Sequence, residues 1–541
     1  MMKKLYLLLF ILQAMLLLIF HFPAMGQWAN VPDSPLLLTD IAATQNKPVL
    51  VSDNDGGYYV FWLDSRDGIK AVYGQRLDAD GNKLWGADGK LIADRDIAIW
   101  EVSAVLNDEG DVFVCWTGSP DTLFAQKINS DGDLLWADAV GVAGYDGGSI
   151  WGAYKLFAML AEGSGFYVAY VLTGYGYDDM YINKVTGEGN LPWGFNGYLA
   201  YDAGGGSAGN IKLLSDGSGG AFISWTNGHG YLNRFDADGN FYWPAKLDVN
   251  ECTNGTGGTY AAHPYFLLQS NSSGGLMATW SSYSDDIYAS SISEDGEFLF
   301  DSTCASIEIN EEIQEGIAFS KSDDAYYVSW VNSDYVTTTI QMQKFNEAGE
   351  TQWPEPLFIE NDGLYIPVVK SISTSEGDIA VFYQGNSEFL VQKVHADGTS
   401  EWPEPIPILN NLYQPFYYEY QLLATDDGNV IGVAETSTQR IVAFNLNFIS
   451  GDTIEEDTTI IESIFDFENT FNIYPNPATD VINIAISNSN YTSVSTQVEL
   501  LSADGRRIRS SALKQEIDIT DLAPGIYFIK IGTGMRMFSK M

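Results

Sequence analysis

Residues 55–62 read DGGYYVFW, residues 73–77 read YGQRL, and residues 78–85 read DADGNKLW. The third part of this unit returns at 126–136, 233–243 and 392–402, each time as an Asp-Gly step followed by tryptophan. Twelve of the 14 tryptophans fall into two registers of this repeat. The first register contains Trp28, Trp85, Trp136, Trp193, Trp243, Trp353 and Trp402, with Phe300 in the one gap and intervals of 49 to 57 residues. The second register contains Trp62, Trp116, Trp225, Trp280 and Trp330, with Tyr170 and Phe382 at equivalent places.

The repeat predicts an all-β fold, namely an eight-bladed β-propeller with four-stranded blades over residues 27–449. A period near 50 residues with about four short strands per unit is typical of this fold, in which each unit forms one blade. The eighth copy, ending at 441–447, lacks a tryptophan-containing fourth strand of its own. Residues 28–39 carry such a strand before any first strand, so we expect this segment to complete the last blade and close the ring. Counts of seven or nine blades remain open.

The charge balance excludes one class of partner. The 541 residues include 71 Asp and Glu against 27 Lys and Arg, which gives a formal net charge of −44. A surface this negative repels phosphate backbones and anionic lipids, so we expect neither nucleic acid nor an anionic membrane as a partner. Hydrophobic residues make up 45% of the chain, which is enough for a large core.

The first 26 residues have the three-part pattern of a secretory signal peptide. A basic start at 1–4 precedes an apolar run at 5–20, and small residues at 24–26 offer a cleavage site. The alternative is a membrane anchor, but the run is shorter than the ~20 residues that a spanning helix needs. We expect no transmembrane segment in the mature chain.

The three cysteines do not form a disulfide scaffold. Cys115 lies in an apolar strand pattern and is expected in the core, as a small hydrophobic residue. Cys252 and Cys304 occupy comparable places in successive repeats, and their pairing is left open because spacing alone does not fix the geometry.

A second, smaller unit follows the ring. Residues 450–467 contain six acids and no base, which indicates a linker. Residues 468–541 hold seven acids and seven bases and show alternating apolar segments between Gly and Pro turns. This pattern predicts a small, immunoglobulin-like antiparallel β-sandwich.

Three motifs of this unit occur in a recognisable order: YPNP at 474–477, DGR at 504–506 and DLAPGIYFIKI at 521–531. Together they resemble the type A C-terminal sorting domain of the type IX secretion system. The resemblance implies passage through the outer membrane, contact with the secretion machinery, and release or attachment at the cell surface. The sorting residues it points to are Tyr474, Pro475, Asn476, Pro477, Gly525, Tyr527 and Lys540. One departure is Met541, which follows the usual basic terminus.

Known propeller chemistries find little support in the ring. The Asp-box of sialidases is absent, and few arginines are available to hold a carboxylate. The Gly-x-x-x-Trp spacing, as in Gly81 and Trp85, resembles the docking motif of quinoprotein dehydrogenases. The adjacent cysteines found beside the quinone are missing, so we expect this motif to be structural, with one ring stacked on the next blade.

Hydrolase and metal motifs are equally weak. The Gly-x-Ser-x-Gly match at 205–209 lies in a glycine-rich connection rather than between a strand and a helix. The mature chain shows no zinc-binding spacing among its histidines and cysteines. The Asp-x-Asp-Gly segments could ligate calcium, but the distal Glu of a full calcium loop is missing, so hairpin turns are the favoured interpretation. We therefore predict no cofactor and no metal.

Aromatic residues in the connections between blades are the remaining candidates for a site. We predict ligand binding by Trp100, Trp151, Tyr145, Tyr201, Tyr260, Tyr365 and Tyr413. Such connections gather on one face of a propeller, and aromatic rings beside acids suit stacking on sugar rings or contact with a peptide. The competing interpretation is that these rings only cap the apolar end of the barrel.

These observations predict an exported propeller that acts as a binding or scaffold module for a glycan or protein ligand. The alternative is an extracellular glycan-active enzyme, a hydrolase or lyase, with paired carboxylates on the same face. No acid pair stands out as catalytic, so no catalytic residue is predicted.

Overall fold

The structure, a computed structural model, forms two compact units, residues 1–451 and 452–541. The residues that it describes are 35–93, 99–118, 122–144, 157–174, 177–204, 206, 208–249, 262–282, 286–300, 304–308, 313–322, 325–333, 338–359, 369–384, 389–409, 415–426, 428–447, 471–474, 481–486, 497–502, 507–512, 516–520, 522, 525–531 and 534–540. The predicted signal peptide, the acidic linker and Cys252 lie outside them, so the signal peptide and the disulfide stay predictions.

The first unit consists of eight four-stranded antiparallel sheets, and its described residues contain no α-helix. A short strand, β1 (Leu36–Leu37), comes before the first complete blade. Blades 1 and 2 comprise β2 (Gln45–Ser52), β3 (Tyr58–Asp64), β4 (Ala71–Leu77) and β5 (Lys90–Ala93), then β6 (Ile99–Leu106), β7 (Val112–Gly118), β8 (Thr122–Ile128) and β9 (Val140–Gly144). Blades 3 and 4 comprise β10 (Phe157–Glu162), β11 (Gly165–Gly174), β12 (Tyr177–Val185) and β13 (Tyr198–Tyr201), then β14 (Gly209–Ser215), β15 (Ala221–Thr226), β16 (Gly230–Phe235) and β17 (Leu247–Asp248).

The second half of the ring repeats this plan. Blades 5 and 6 comprise β18 (Ala262–Ser270), β19 (Leu276–Ser282), β20 (Ile287–Ile292) and β21 (Ala305–Glu308), then β22 (Ile313–Ser322), β23 (Ala325–Ser333), β24 (Thr338–Asn346) and β25 (Leu357–Ile359). Blades 7 and 8 comprise β26 (Val369–Ser373), β27 (Ile379–Gln384), β28 (Phe389–Val394) and β29 (Ile406–Leu409), then β30 (Pro415–Ala424), β31 (Asn429–Thr436) and β32 (Ile441–Asn447). In blades 1 to 7 the strands pair with their neighbours in chain order, as do β30, β31 and β32 of blade 8.

The first strands of successive blades contact one another in a closed circle, from β2 through β6, β10, β14, β18, β22, β26 and β30 back to β2. The predicted eight-bladed propeller is therefore confirmed. The first strand of each blade lies at the centre of the ring, and the fourth lies at its rim.

Strand β1 completes the eighth blade, as the sequence predicts. Leu36 pairs with Ala443 and Leu37 with Val442, so a segment from the start of the chain is the outer strand of the last sheet. The next residue, Leu38, is fully buried, and the Thr39 hydroxyl donates to Asp88 of blade 1 at 2.7 Å. The ring is thus held shut by pairing between the two ends of the propeller sequence.

The core lies between the blades. The second strand of a blade is covered on both faces by neighbouring blades, and every residue of β3 and of β7 is buried. One apolar cluster joins blades 1 and 2, and another joins blades 8 and 1. Continuous apolar strands such as 58–63 follow from this two-sided burial, because no face is left for alternating polar residues.

The described residues of the second unit form two antiparallel sheets. Its strands are β33 (Phe471–Tyr474), β34 (Val481–Ile486), β35 (Gln497–Ser502), β36 (Arg507–Ala512), β37 (Glu516–Asp518), β38 (Gly525–Ile531) and β39 (Gly534–Lys540). One sheet has the order β33-β34-β37 and the other β36-β35-β38-β39. Ile482, Leu500 and Ile529 share one buried cluster that draws on both sheets. The unit is all-β, and its assignment as immunoglobulin-like stays a prediction.

Candidate functional site

The two faces of the ring differ in their connections. Turns between the first and second strands and between the third and fourth strands lie on one face, here called the lower face. Turns between the second and third strands and the connections from one blade to the next lie on the other, here called the upper face. Because the strands of each blade run alternately up and down, Trp100 and Tyr201, the two predicted binding residues that the structure describes, belong to the upper face.

The Asp-Gly turns on the lower face are hairpins, as the sequence analysis favoured. The Asp78 carboxylate accepts bonds from the backbone N–H groups of Asp80 and Asn82 at 3.0 and 2.8 Å, and Gly81 has a φ of +80°. This carboxylate is occupied by its own backbone. Within the described residues, no three His, Cys, Asp or Glu side chains come together as a metal site. The absence of a cofactor stays a prediction.

The first-register tryptophans join neighbouring blades on the lower face. Trp85 of blade 1 lies against Gly132 of blade 2, where an added Cβ would be 2.8 Å from the indole, and its Nε1 donates to the Ser130 carbonyl at 3.0 Å. Trp136, Trp243 and Trp353 make the same bond to the next blade, at 3.1, 3.1 and 3.4 Å. The predicted structural role of the Gly-x-x-x-Trp motif is confirmed.

Buried ion pairs brace the same turns. Arg234 contacts Asp216 at 2.9 Å, and the Asp216 side chain is fully buried. Burial opposes the charged form of Asp216, but bonds from the Ser218 N–H, from Arg234 and from the Gly220 N–H outweigh this effect and lower its pKa. Arg234 also donates to the Glu294 carbonyl of the next blade at 3.2 Å. The lower face is therefore occupied by contacts that hold the ring together.

Trp100 lies exposed on the upper face, at the inner end of blade 2. Ile99 pairs with Gly118 and Glu101 with Thr117, so Trp100 is the extra residue of a β-bulge in the innermost strand. Its side chain is 37% exposed. A bulge re-aims the side chain that it carries, which explains why this ring is outside the buried interface between blades. On the same inner end, Lys47 contacts Glu101 at 3.3 Å.

Tyr201 lies further out on the upper face, at the end of the rim strand of blade 3. Its ring centroid is 5.2 Å from that of Trp225 and 5.9 Å from that of Tyr231, both in blade 4. Asn227 donates to the Tyr201 hydroxyl at 2.9 Å. Lys246 places its Nζ 3.7 Å from the Tyr231 centroid and 4.3 Å from that of Tyr201. Tyr201 is thus half-buried between blades and covered by a cation.

A histidine and a carboxylate border this group. The His229 ring stacks on Tyr231 at 5.9 Å, and its Nδ1 is 2.9 Å from the Asp248 carboxylate. Burial, together with the nearby Asp248 and Tyr201, raises the pKa of Tyr231 to about 12, so its phenol stays neutral at physiological pH. The buried Nε1 of Trp225 has no hydrogen-bond acceptor among the described residues, and the same holds for Trp116 and Trp330.

The other predicted binding residues, Trp151, Tyr145, Tyr260, Tyr365 and Tyr413, lie outside the described residues. Ligand binding by the whole set stays a prediction. Trp100 and Tyr201 share a face but occupy different places on it, since one is on an inner strand and the other on a rim strand.

Sequence reasoning missed Lys246, Tyr231, His229 and Asp248. The repeat gives no signal for Lys246, because the residue three positions after the register tryptophan varies among the other copies: Val31, Asp88, Ala139, Asn196, Pro356 and Pro405.

The predicted sorting residues belong to the second unit. Tyr474 ends β33, Gly525 begins β38 opposite the buried Lys540, and Tyr527 pairs with Ser502 and Phe538. Pro475, Asn476 and Pro477 lie outside the described residues. Among the described residues there is also no helix of the length and apolarity needed to span a membrane.

Comparison with known proteins agrees with this division. Residues 472–541 match the family described as the secretion system C-terminal sorting domain. No curated protein matches the chain. Among solved structures, a Dyadobacter fermentans protein of unknown function is 8% identical, with 65% of this chain and 93% of that chain covered and a TM-score of 0.35.

Two enzymes are similarly distant. Prolyl oligopeptidase B from Galerina marginata is 12% identical, with 73% and 56% of the two chains covered and a TM-score of 0.41. NanB sialidase from Streptococcus pneumoniae is 11% identical, with 76% and 71% covered and a TM-score of 0.32. At these values the likenesses carry no argument about activity.

The first unit of the chain is therefore a β-propeller. The C-terminal unit of the chain is a type IX secretion sorting domain, and the protein is exported through that system to the cell surface or the extracellular space.

Proposed function

We propose that the exported ring is a binding or scaffold module whose upper face takes a glycan or protein ligand. The observation that carries this proposal is Trp100, an indole that a bulge holds exposed at the inner end of a blade whose second-strand tryptophan, Trp116, is buried. An exposed ring beside the Lys47–Glu101 pair offers a stacking surface with polar neighbours, as sugar-binding and peptide-binding sites do.

Two of the described acids of the upper face, Asp179 and Asp202, favour binding over catalysis. Asp179 accepts the Ala203 N–H at 2.8 Å, and Asp202 accepts the Gly204 N–H at 2.9 Å. Both carboxylates are committed to the local chain, whereas a catalytic carboxylate must be available to substrate.

The experiment applies the full exported chain to glycan arrays and to polysaccharide digests. Retention without turnover supports the proposal, whereas release of products would replace it with the alternative of a glycan-active enzyme. We expect Trp100→Ala and Trp151→Ala to abolish retention while circular dichroism stays unchanged. Phe358→Ala is the matched control, because Phe358 is 55% exposed on a rim strand of blade 6, whereas Trp100 lies on the inner strand of blade 2, and its loss should leave retention intact. If both tryptophan variants bind normally, the ligand site does not include Trp100 or Trp151.

A further inference from the structure

Three aromatic rings and one ammonium group form a compact cluster on the upper rim between blades 3 and 4. Tyr201, Trp225 and Tyr231 have their centroids 5.2 to 5.9 Å apart in every pair, and Lys246 Nζ lies over both tyrosines. We call the three rings the rim cage. Trp225 is its buried floor, while the two tyrosines are half-buried walls.

Blade 1 contains a comparable aromatic pair with a very different cation. Trp62 stacks on Tyr73 at 6.4 Å, and the Arg66 guanidinium lies 3.9 Å from the Tyr73 centroid. Arg66 is fixed in place, since it contacts the buried Asp64 at 2.6 Å and donates to the Asp88 carbonyl at 3.0 Å. Removing that cation would leave the buried Asp64 carboxylate without its counter-charge. Arg66 therefore stays on the Tyr73 ring.

Lys246 has no such lock. Its side chain is exposed, and it makes no ion pair or hydrogen bond with any described residue. Its contacts are the two ring faces, which attract a cation through their quadrupoles. Ordering a long lysine side chain costs rotamer entropy of similar size to that attraction. Displacing Lys246 from the cage therefore costs little free energy, and the vacated ring faces suit the cationic group of another lysine or arginine.

We propose that the rim cage binds a lysine or arginine side chain of a basic partner protein in the place that Lys246 occupies. This inference rests on the proposed binding role of the upper face and names the partner class. Charge supports it, because a chain with a net charge of −44 attracts basic partners over long distances, and the cage selects among them by a specific contact. The Tyr231 phenol remains neutral, so selection comes from the ring faces rather than from a phenolate.

The experiment titrates the full exported chain with tetramethylammonium and with a short polylysine peptide at constant ionic strength, followed by NMR. Lys246→Ala removes the internal competitor, so we expect both probes to bind about fivefold more tightly, the equivalent of about 1 kcal/mol. Tyr231→Leu and Tyr201→Leu should abolish the gain, whereas Tyr231→Phe should keep it because the ring face remains.

The matched control is Tyr73→Leu, which removes the equivalent ring of blade 1 and should leave both affinities unchanged. The inference is overturned if Lys246→Ala leaves the probe affinity unchanged or if Tyr231→Leu binds the probes as tightly as the parent chain. Any binding would then come from the net negative charge of the surface. If instead a glycan is retained through Trp100 while the cage variants bind probes normally, the cage inference fails and the proposed function stands. If no retention depends on Trp100 while probe binding still depends on the cage residues, the proposed binding site at Trp100 is refuted and the cage inference stands.

Discussion

Replacing Gly132 with alanine tests how the blades dock. Gly132 has a φ of +79°, and an added Cβ would lie 2.8 Å from the Trp85 indole of the preceding blade. That indole does not simply retreat, because its Nε1 bonds the Ser130 carbonyl at 3.0 Å in the same turn. The variant must therefore strain its backbone and also displace the Trp85 indole from its contact with this turn.

Gly110 is the control within the same blade. Its φ is +84°, but an added Cβ would meet nothing within 4 Å. A left-handed backbone conformation destabilises both alanine variants by about 1 kcal/mol, and this effect cancels in the comparison. Overpacking and a weakened hydrogen bond destabilise Gly132→Ala further, so we expect it to be less stable than Gly110→Ala by about 2 kcal/mol.

Urea unfolding of the full chain, followed by tryptophan fluorescence, measures the difference as a shift in midpoint at equal slope. Hydrogen exchange of the 126–136 turn checks that the loss is local to this blade boundary. Equal destabilisation by the two substitutions would refute the docking argument, since it would mean that only backbone conformation requires Gly132.

Four further outcomes are expected of variants and probes of the ring. Arg234→Met should lower the free energy of unfolding by about 3 kcal/mol, because it leaves Asp216 buried without its cation; a loss as small as that of an exposed pair would contradict this. Because the folded pKa of Asp216 is lowered, its contribution is present above its unfolded pKa of about 4 and should disappear as acid titration goes below it. Deleting residues 27–39 removes the closing strand and the buried Leu38, so limited proteolysis should become faster, and an unchanged rate would argue against closure by this segment. Burial raises the pKa of the Cys115 thiol, so peptide mapping should find it unlabelled by thiol reagents until the ring is unfolded; labelling of folded protein would place it at the surface.

The architecture of the ring could be predicted because it depends on local patterns in the sequence. Strand 58–64 is apolar throughout because both faces are buried, and the turn at Asp78 is specified by a side chain that bonds its own backbone. Repetition of those patterns favours eight blades, a count that the closed circle of first strands settles, and the extra strand at 28–39 predicts the closure. The three sorting motifs likewise identify the C-terminal unit without reference to its sheets.

The upper face could be predicted only in part. Tyr201 was selected as a ring in a connection, but its neighbours Trp225 and Tyr231 belong to the next blade. Which rings meet across two blades depends on sheet twist and on the register of a rim strand that is only two residues long, β17. A linear pattern does not contain that information.

Local patterns and their repetition are enough to predict the fold class, the closing strand, the structural role of the Gly-x-x-x-Trp motif and the export signal at the C-terminus. The exposure of Trp100 by a bulge, the position of Lys246 over two tyrosines and the ion pair of Arg66 with Asp64 are visible only in the folded ring. These features depend on packing between blades, where side chains distant in sequence compete for the same space, and that competition is settled by geometry rather than by local preference.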